Sequence, residues 1–177
     1  MMSYHRNVIS YIAVSLDGYI AGSDGDISFL SGVEREGEDY GYSAFMNTVD
    51  TIILGRRTYD KVKDIGFGYP GDKEVYIITH SVGIGETTLK YYSGPLKNLI
   101  SDLRQEPGKS IFCDGGADVL NQLLQDNLID EFIISIIPVI LGEGVRLFRD
   151  GRPGLDLKLV SARDFDSGLV QLHYTRV

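Results

Sequence analysis

The segment from Leu128 to Phe148, LIDEFIISIIPVILGEGVRLF, constrains the fold more than any other part of the chain. An acidic pair, Asp130 and Glu131, precedes nine uncharged residues, Phe132 to Ile140, of which six are Ile or Val. β-Branched residues at that density suit a strand buried on both faces. The run is too short, and too interrupted by Ser135 and Pro138, to cross a bilayer. Pro138 cannot donate to a ladder, and the Gly142-Glu143-Gly144 turn allows other backbone to come close. A central strand of a covered sheet is the expectation.

The chain has 177 residues, a length that suits one domain, residues 1–177, with its own core. A net charge of -8 repels phosphate and argues against nucleic acid or an anionic membrane as partner. Cys113 is the single cysteine, so no internal disulfide or cysteine metal cluster can form. His5, His80 and His173 are far apart and lack ligand spacing, so no metal is expected. The first apolar segment contains Ser10, Tyr11 and Ser15 and runs into Asp17-Gly18, unlike a signal peptide. A cytoplasmic location is the expectation. The loosest stretch is Asp24 to Asp39, rich in Gly, Asp and Glu.

Strand-like and helix-like runs alternate. Strands are expected at Val8–Val14, Thr51–Leu54, Glu74–Thr79, Leu89–Tyr92 and Ser110–Cys113, and along the long apolar run. Leu155–Val160 and Leu169–Tyr174 flank the turn Asp166-Ser167-Gly168 and read as an antiparallel pair. Leu96, Leu99, Ile100 and Leu103 recur at helical spacing, as do Val119, Leu120, Leu123 and Leu124. Shorter helices are expected at Tyr40–Asn47 and Thr58–Lys63. The sum is an α/β fold: a mostly parallel sheet, helices on both faces, and an antiparallel C-terminal strand pair.

Four local features carry chemistry. In Phe112-Cys113-Asp114-Gly115-Gly116-Ala117 a strand passes through two glycines into a helix. Backbone amides at such a helix start favour an anion such as pyrophosphate; the plain alternative is a tight turn. Gly55-Arg56-Arg57-Thr58 again opens a helix after a buried strand. Two guanidiniums and a hydroxyl there make a phosphate clamp, against the alternative of a solvated arginine pair. Thr79-His80-Ser81 ends another strand and offers small polar groups. Ala13 to Gly22, AVSLDGYIAG, is either a simple β-turn or a place where a flat ring lies against backbone.

In order and spacing, SLDGYIAG, ILGRRTY, VYIITHS, FCDGGADVLNQLL and DEF-x7-PVILGEGVRLF resemble the dihydrofolate reductase-like proteins. Within them the chain is most similar to the RibD C-terminal domain branch, the reductase domain of riboflavin biosynthesis, over roughly Val8 to Tyr174. The resemblance implies NADPH as cofactor. It places the 2′-phosphate and pyrophosphate on Gly55, Arg56, Arg57 and Thr58, with Thr79, His80 and Ser81 adding contacts to the 2′-phosphate. It places the pyrophosphate also on Gly115, Gly116, Ala117 and Val119, and the nicotinamide against Ala13 and Ile20. The catalytic carboxylate of the folate enzymes maps to Asp39, with Glu38 as fallback, and its partner hydroxyl to Ser135. Buried Ser135 needs a polar partner, and a carboxylate would serve. Asp39 has a second reading, as the cap of a helix starting at Tyr40.

Departures from the pattern bear on the substrate. There is no tryptophan, and Asp72 stands where folate enzymes carry an arginine for the substrate's carboxylate, with Lys73 beside it. The segment YGYSAFMNTVD is aromatic where riboflavin-pathway reductases have a phosphate binder. The resemblance therefore implies an NADPH-dependent reductase of a small ring, nearest in type to a 5-amino-6-(5-phosphoribosylamino)uracil reductase and then to dihydrofolate reductase. The ring is expected near Tyr40, Phe45 and the Asp17–Gly22 loop. Alternatives from other classes are an NADPH-binding protein without catalysis and a flavodoxin-type binder. The apolar run and the resemblance both point to a homodimer.

Overall fold

A computed structural model describes residues 5–81 and 88–177. The first strand, β1 (Val8–Ser15), turns at Asp17-Gly18 into the short β2 (Tyr19–Ala21). A 3-10 turn (Ser28–Val33), helix α1 (Tyr42–Met46), strand β3 (Val49–Gly55) and helix α2 (Arg56–Asp64) follow. Next come β4 (Glu74–Ile78), β5 (Leu89–Tyr92), α3 (Leu96–Leu103), β6 (Ser110–Gly115) and α4 (Ala117–Gln125). The chain closes with β7 (Glu131–Ile137), β8 (Val145–Arg146), β9 (Leu157–Asp164) and β10 (Val170–Arg176). Eight strands form one sheet in the order β5-β4-β3-β6-β1-β7-β10-β9. The pairs from β5 to β7 are parallel, and β10 pairs antiparallel with β7 and β9.

The two faces of the sheet carry separate cores. On one, Ile53, Ile111 and Cys113 pack with Leu99 and Ile100 of α3 and with Leu120 and Leu123 of α4. On the other, Ile52, Leu54, Ile77 and Phe112 meet Phe45 and Met46 of α1. Alternate residues of β3, Ile52 and Ile53, thus serve opposite layers, as the two-residue repeat of a strand demands. The expected α/β architecture is the observed one.

The long apolar run is shorter as a strand than its composition suggests. Strand β7 ends at Ile137, because Pro138 cannot continue the ladder, and Ile140 is exposed. The glycine turn beyond it does bring backbone close: at Gly144 (φ +145°) a Cβ would meet the Ala21 carbonyl oxygen at 2.1 Å. That approach allows β8 to pair with β2.

Helix α1 also differs from expectation. It starts at Tyr42 rather than Tyr40, since Tyr40 (φ 57°) and Gly41 (φ 84°) are both left-handed. Strand β9 differs in another way. It runs over Leu157–Asp164 where Leu155–Val160 was expected, and all eight of its residues are exposed.

Candidate active site

Strands β4, β3 and β6 are neighbours, so their C-terminal ends bring three of the sequence motifs side by side. Gly55 closes β3 and precedes α2, while Gly115 closes β6 and Gly116 precedes α4. The two helices have nine residues each, and neither first turn has a side-chain cap. Their amides therefore remain available where the helix dipoles are positive. Space confirms that the turns meet. A Cβ on Gly116 would lie 3.0 Å from Thr58 Oγ1, and one on Gly55 would lie 3.4 Å from Val119 Cγ2. Ala117 and Val119 are buried behind this junction. Two uncapped helix N-termini that meet at glycines can offer their amides to an anion, and Thr58 stands beside them.

The two arginines divide their work. Arg56 Nε donates to both carboxylate oxygens of Asp60, at 2.8 and 2.9 Å, and its guanidinium lies over the Tyr91 ring at 5.6 Å. Arg57 is exposed and makes no ion pair among the described residues. At the end of β4, the Ser81 amide donates to Thr79 Oγ1 at 3.1 Å, with His80 exposed between them.

Around the first turn, Asp17 accepts hydrogen bonds from Ser15 Oγ (2.6 Å) and from the amides of Leu141 (3.1 Å) and Gly142 (2.7 Å). These bonds, the serine's foremost, lower its carboxyl to about 2. Asp17 thus ties the Ala13–Gly22 segment to the glycine turn after β7. Ala13 sits opposite Ser135 in the β1–β7 ladder, and Ile20 packs on the α3/α4 core.

Asp39 and Ser135 are not joined by a hydrogen bond among the described residues. The Asp39 carboxylate accepts from the amides of Gly41 (2.9 Å) and Ser43 (3.0 Å), capping the entry to α1. Bonds from Ser43 and Gly41 hold it below the ordinary carboxylate range. The amide of Tyr40 uses Glu38 as its acceptor, at 2.7 Å. The partner of buried Ser135 is a carboxamide instead of the expected carboxylate: Gln171 Nε2 donates to Ser135 Oγ at 3.1 Å and also reaches the Tyr40 carbonyl. Gln171 reaches Ser135 because β10 pairs with β7 in that register. Phe45 is buried, and Tyr40 is half-buried. Tyr40 donates to the Val33 carbonyl and packs edge-on against Phe165.

A different carboxyl stands beside the glycine turn. Asp114 is the last side chain before Gly115-Gly116, and it accepts a hydrogen bond from Tyr69 Oη. Burial raises its carboxyl from 3.8 to about 6, against the lowering effect of the Tyr69 bond. Burial likewise raises the phenols of Tyr69 and Tyr42, with Asp114 adding to the effect. The Phe67 ring lies between them, 6.5 Å from Tyr42 and 6.0 Å from Tyr69, and Tyr11 is 5.6 Å from Tyr42. Asp114 is thus a carboxyl among aromatic rings, able to hold or release a proton near neutrality. Asp114 lies within the Phe112–Ala117 motif, yet no local spacing marks it as a proton donor. The available signal was a charge at the end of an apolar strand.

This arrangement of sheet, paired glycine turns and flanking helices is that of the dihydrofolate reductase-like proteins. The chain belongs to the RibD C-terminal domain family, whose model matches residues 6–171. It is 42% identical over 173 residues to the uncharacterized protein YwjB of Bacillus subtilis, covering 97% of this chain and 98% of that one. A candidate riboflavin biosynthesis protein from Shewanella sp. PV-4 superposes with a TM-score of 0.87 at 29% identity, over 99% of both chains. A dihydrofolate reductase from Enterococcus faecalis, solved with NADP(H), superposes with a TM-score of 0.69 at 13% identity, over 99% of both chains. That last likeness is one of fold. Family membership points to an oxidoreductase.

Proposed function

We propose that the chain is an NADPH-dependent reductase acting on a small heterocycle of ribosylaminopyrimidine or related type. The junction of the two glycine turns carries this reading, because a side chain at Gly116 would crowd Thr58 at 3.0 Å. The glycine turns and the two helix N-termini would hold the pyrophosphate, and Arg57 with Ser81 would take the 2′-phosphate. Bound there, NADPH would supply a hydride.

The substrate ring lies against Tyr42, Phe67 and Tyr69 beside Asp114. Reduction of a C=N bond adds a hydride to carbon and a proton to nitrogen. Asp114 gives that proton and regains one from solvent, which suits a carboxyl raised to about 6. Asp39, held in its ionised form by the amides it caps, is the poorer donor.

The test is a screen of aminopyrimidines and pterins for NADPH oxidation, with wild type and Asp114→Asn compared. The reading expects turnover that Asp114→Asn lowers by about a hundredfold while NADPH affinity stays the same. Turnover by Asp114→Asn equal to wild type removes Asp114 from the reaction. NADPH binding without turnover of any member marks a binding protein.

A further inference from the structure

The segment that leaves β1 is fastened at two distant places. At its start, Asp17 accepts from the amides of Leu141 and Gly142, beyond the end of β7. At its far end, the Lys61 ammonium of α2 donates to the Gly25 carbonyl. Strand β6 lies between β1 and β3, and α2 follows β3. Residues 17–25 therefore pass across the C-terminal end of β6, where the glycine turn meets Thr58. The far end is a loop closed on itself. The Gly22 amide donates to the Asp26 carbonyl at 2.8 Å, the Gly25 amide to the Gly22 carbonyl at 2.9 Å, and the Asp26 amide to Asp24 Oδ1 at 2.9 Å. Lys61 is half-buried in a helix that has no buried residue, and its ammonium bonds a backbone carbonyl of this loop. Hydrogen bonds from Ser28 hold the Asp26 carboxyl below its ordinary range, and the nearby Lys61 charge adds to that.

We infer that the Lys61–Gly25 contact is a latch, with Lys61 a positioning residue that keeps residues 17–25 closed over the inner half of a bound dinucleotide. The inference rests on the NADPH reading above. A dinucleotide lying from Arg57 and Ser81 across the glycine turns runs past β4, β3 and β6 in that order. Its inner half then lies under the segment, and its adenosine end does not. One lysine on one carbonyl is a point attachment on a flexible stem, so it can open and reclose without disturbing α2 or the loop. Opening of such a segment sets the rate at which a covered ligand leaves.

Stopped-flow release of NADPH from wild type, Lys61→Met and Lys61→Arg tests the inference, with the affinity of adenosine 2′,5′-bisphosphate measured alongside. Lys61→Met is expected to release NADPH about tenfold faster, the change that loss of one charge-assisted hydrogen bond carries. Lys61→Arg, which keeps a charged donor, is expected to restore slow release. The bisphosphate, which ends short of the segment, is expected to bind all three proteins equally, and its binding shows that each is folded. Wild-type release from Lys61→Met, fast release from Lys61→Arg, or a matching loss of bisphosphate affinity in Lys61→Met overturns the latch and leaves the NADPH reading standing. A wild type that does not bind NADPH overturns both.

Discussion

Tyr69 and Asp114, 45 residues apart in the chain, are joined by a hydrogen bond from the phenol to the carboxylate. The bond reaches from the loop after α2 to the end of β6, across the end of β3. It holds Asp114 in place beside the glycine turn, and burial of that carboxyl gives the site a pH dependence with a definite sign.

The folded chain keeps the Asp114 proton up to about pH 6, whereas an unfolded chain releases it near about 4. Between those values the folded state holds more protons, so its stability falls as pH rises, and the penalty is complete above about pH 6. Discounted for partial exposure, it amounts to roughly 2 kcal/mol. Asp114→Asn should therefore raise the Tm by roughly 4–8 °C at about pH 8 and by little at about pH 4. Thermal unfolding at both pH values checks this. In the wild type, kcat/KM should decline as pH rises through about 6, as the acid form is lost.

Because Arg56 is engaged by Asp60 and Tyr91, Arg57 is the freer guanidinium for a 2′-phosphate. Arg57→Ala should cost NADPH about 1.5–3 kcal/mol of binding and leave NADH almost unchanged. Arg56→Ala should have the smaller effect. Equal affinity of the wild type for both dinucleotides contradicts this assignment.

The apolar run expected to support a dimer is enclosed, since β7 lies between β1 and β10. Of the two edge strands, β5 and β9, it is β9 that carries exposed large apolar side chains, with Leu159 and Val160 each about half exposed (51% and 53%). An antiparallel pairing about Ser161 sets Lys158 of each copy against Asp164 of the other. Light scattering should give twice the 19.6 kDa chain mass for wild type and a monomer for Val160→Lys. A monomeric wild type at micromolar concentration refutes the pairing.

The sheet was legible because β-branched runs and turn glycines declare strands locally: β1, β3, β4, β5 and β6 fall within two residues of their expected bounds. The glycine turns were legible for the same reason. What escaped depends on distant partners. Gln171 reaches Ser135 only through the register of β10 on β7, and Tyr69 reaches Asp114 only through the loop after α2. The delayed start of α1 required a left-handed Tyr40, a conformation side chains seldom adopt and local pattern does not announce. Strand β9 extends to Asp164 rather than Val160, and at the sheet edge among the described residues nothing covers it.

The junction of α2 and α4 can be tested by titrating NADPH into wild type and Gly116→Val. Gly116 has a negative φ, -68°, and in the variant the added side chain presses on Thr58, with circular dichroism reporting that the variant is folded. The account predicts saturable NADPH binding by the wild type and a loss of at least about tenfold in the folded variant. No binding by wild type, or equal affinity in Gly116→Val, would contradict it.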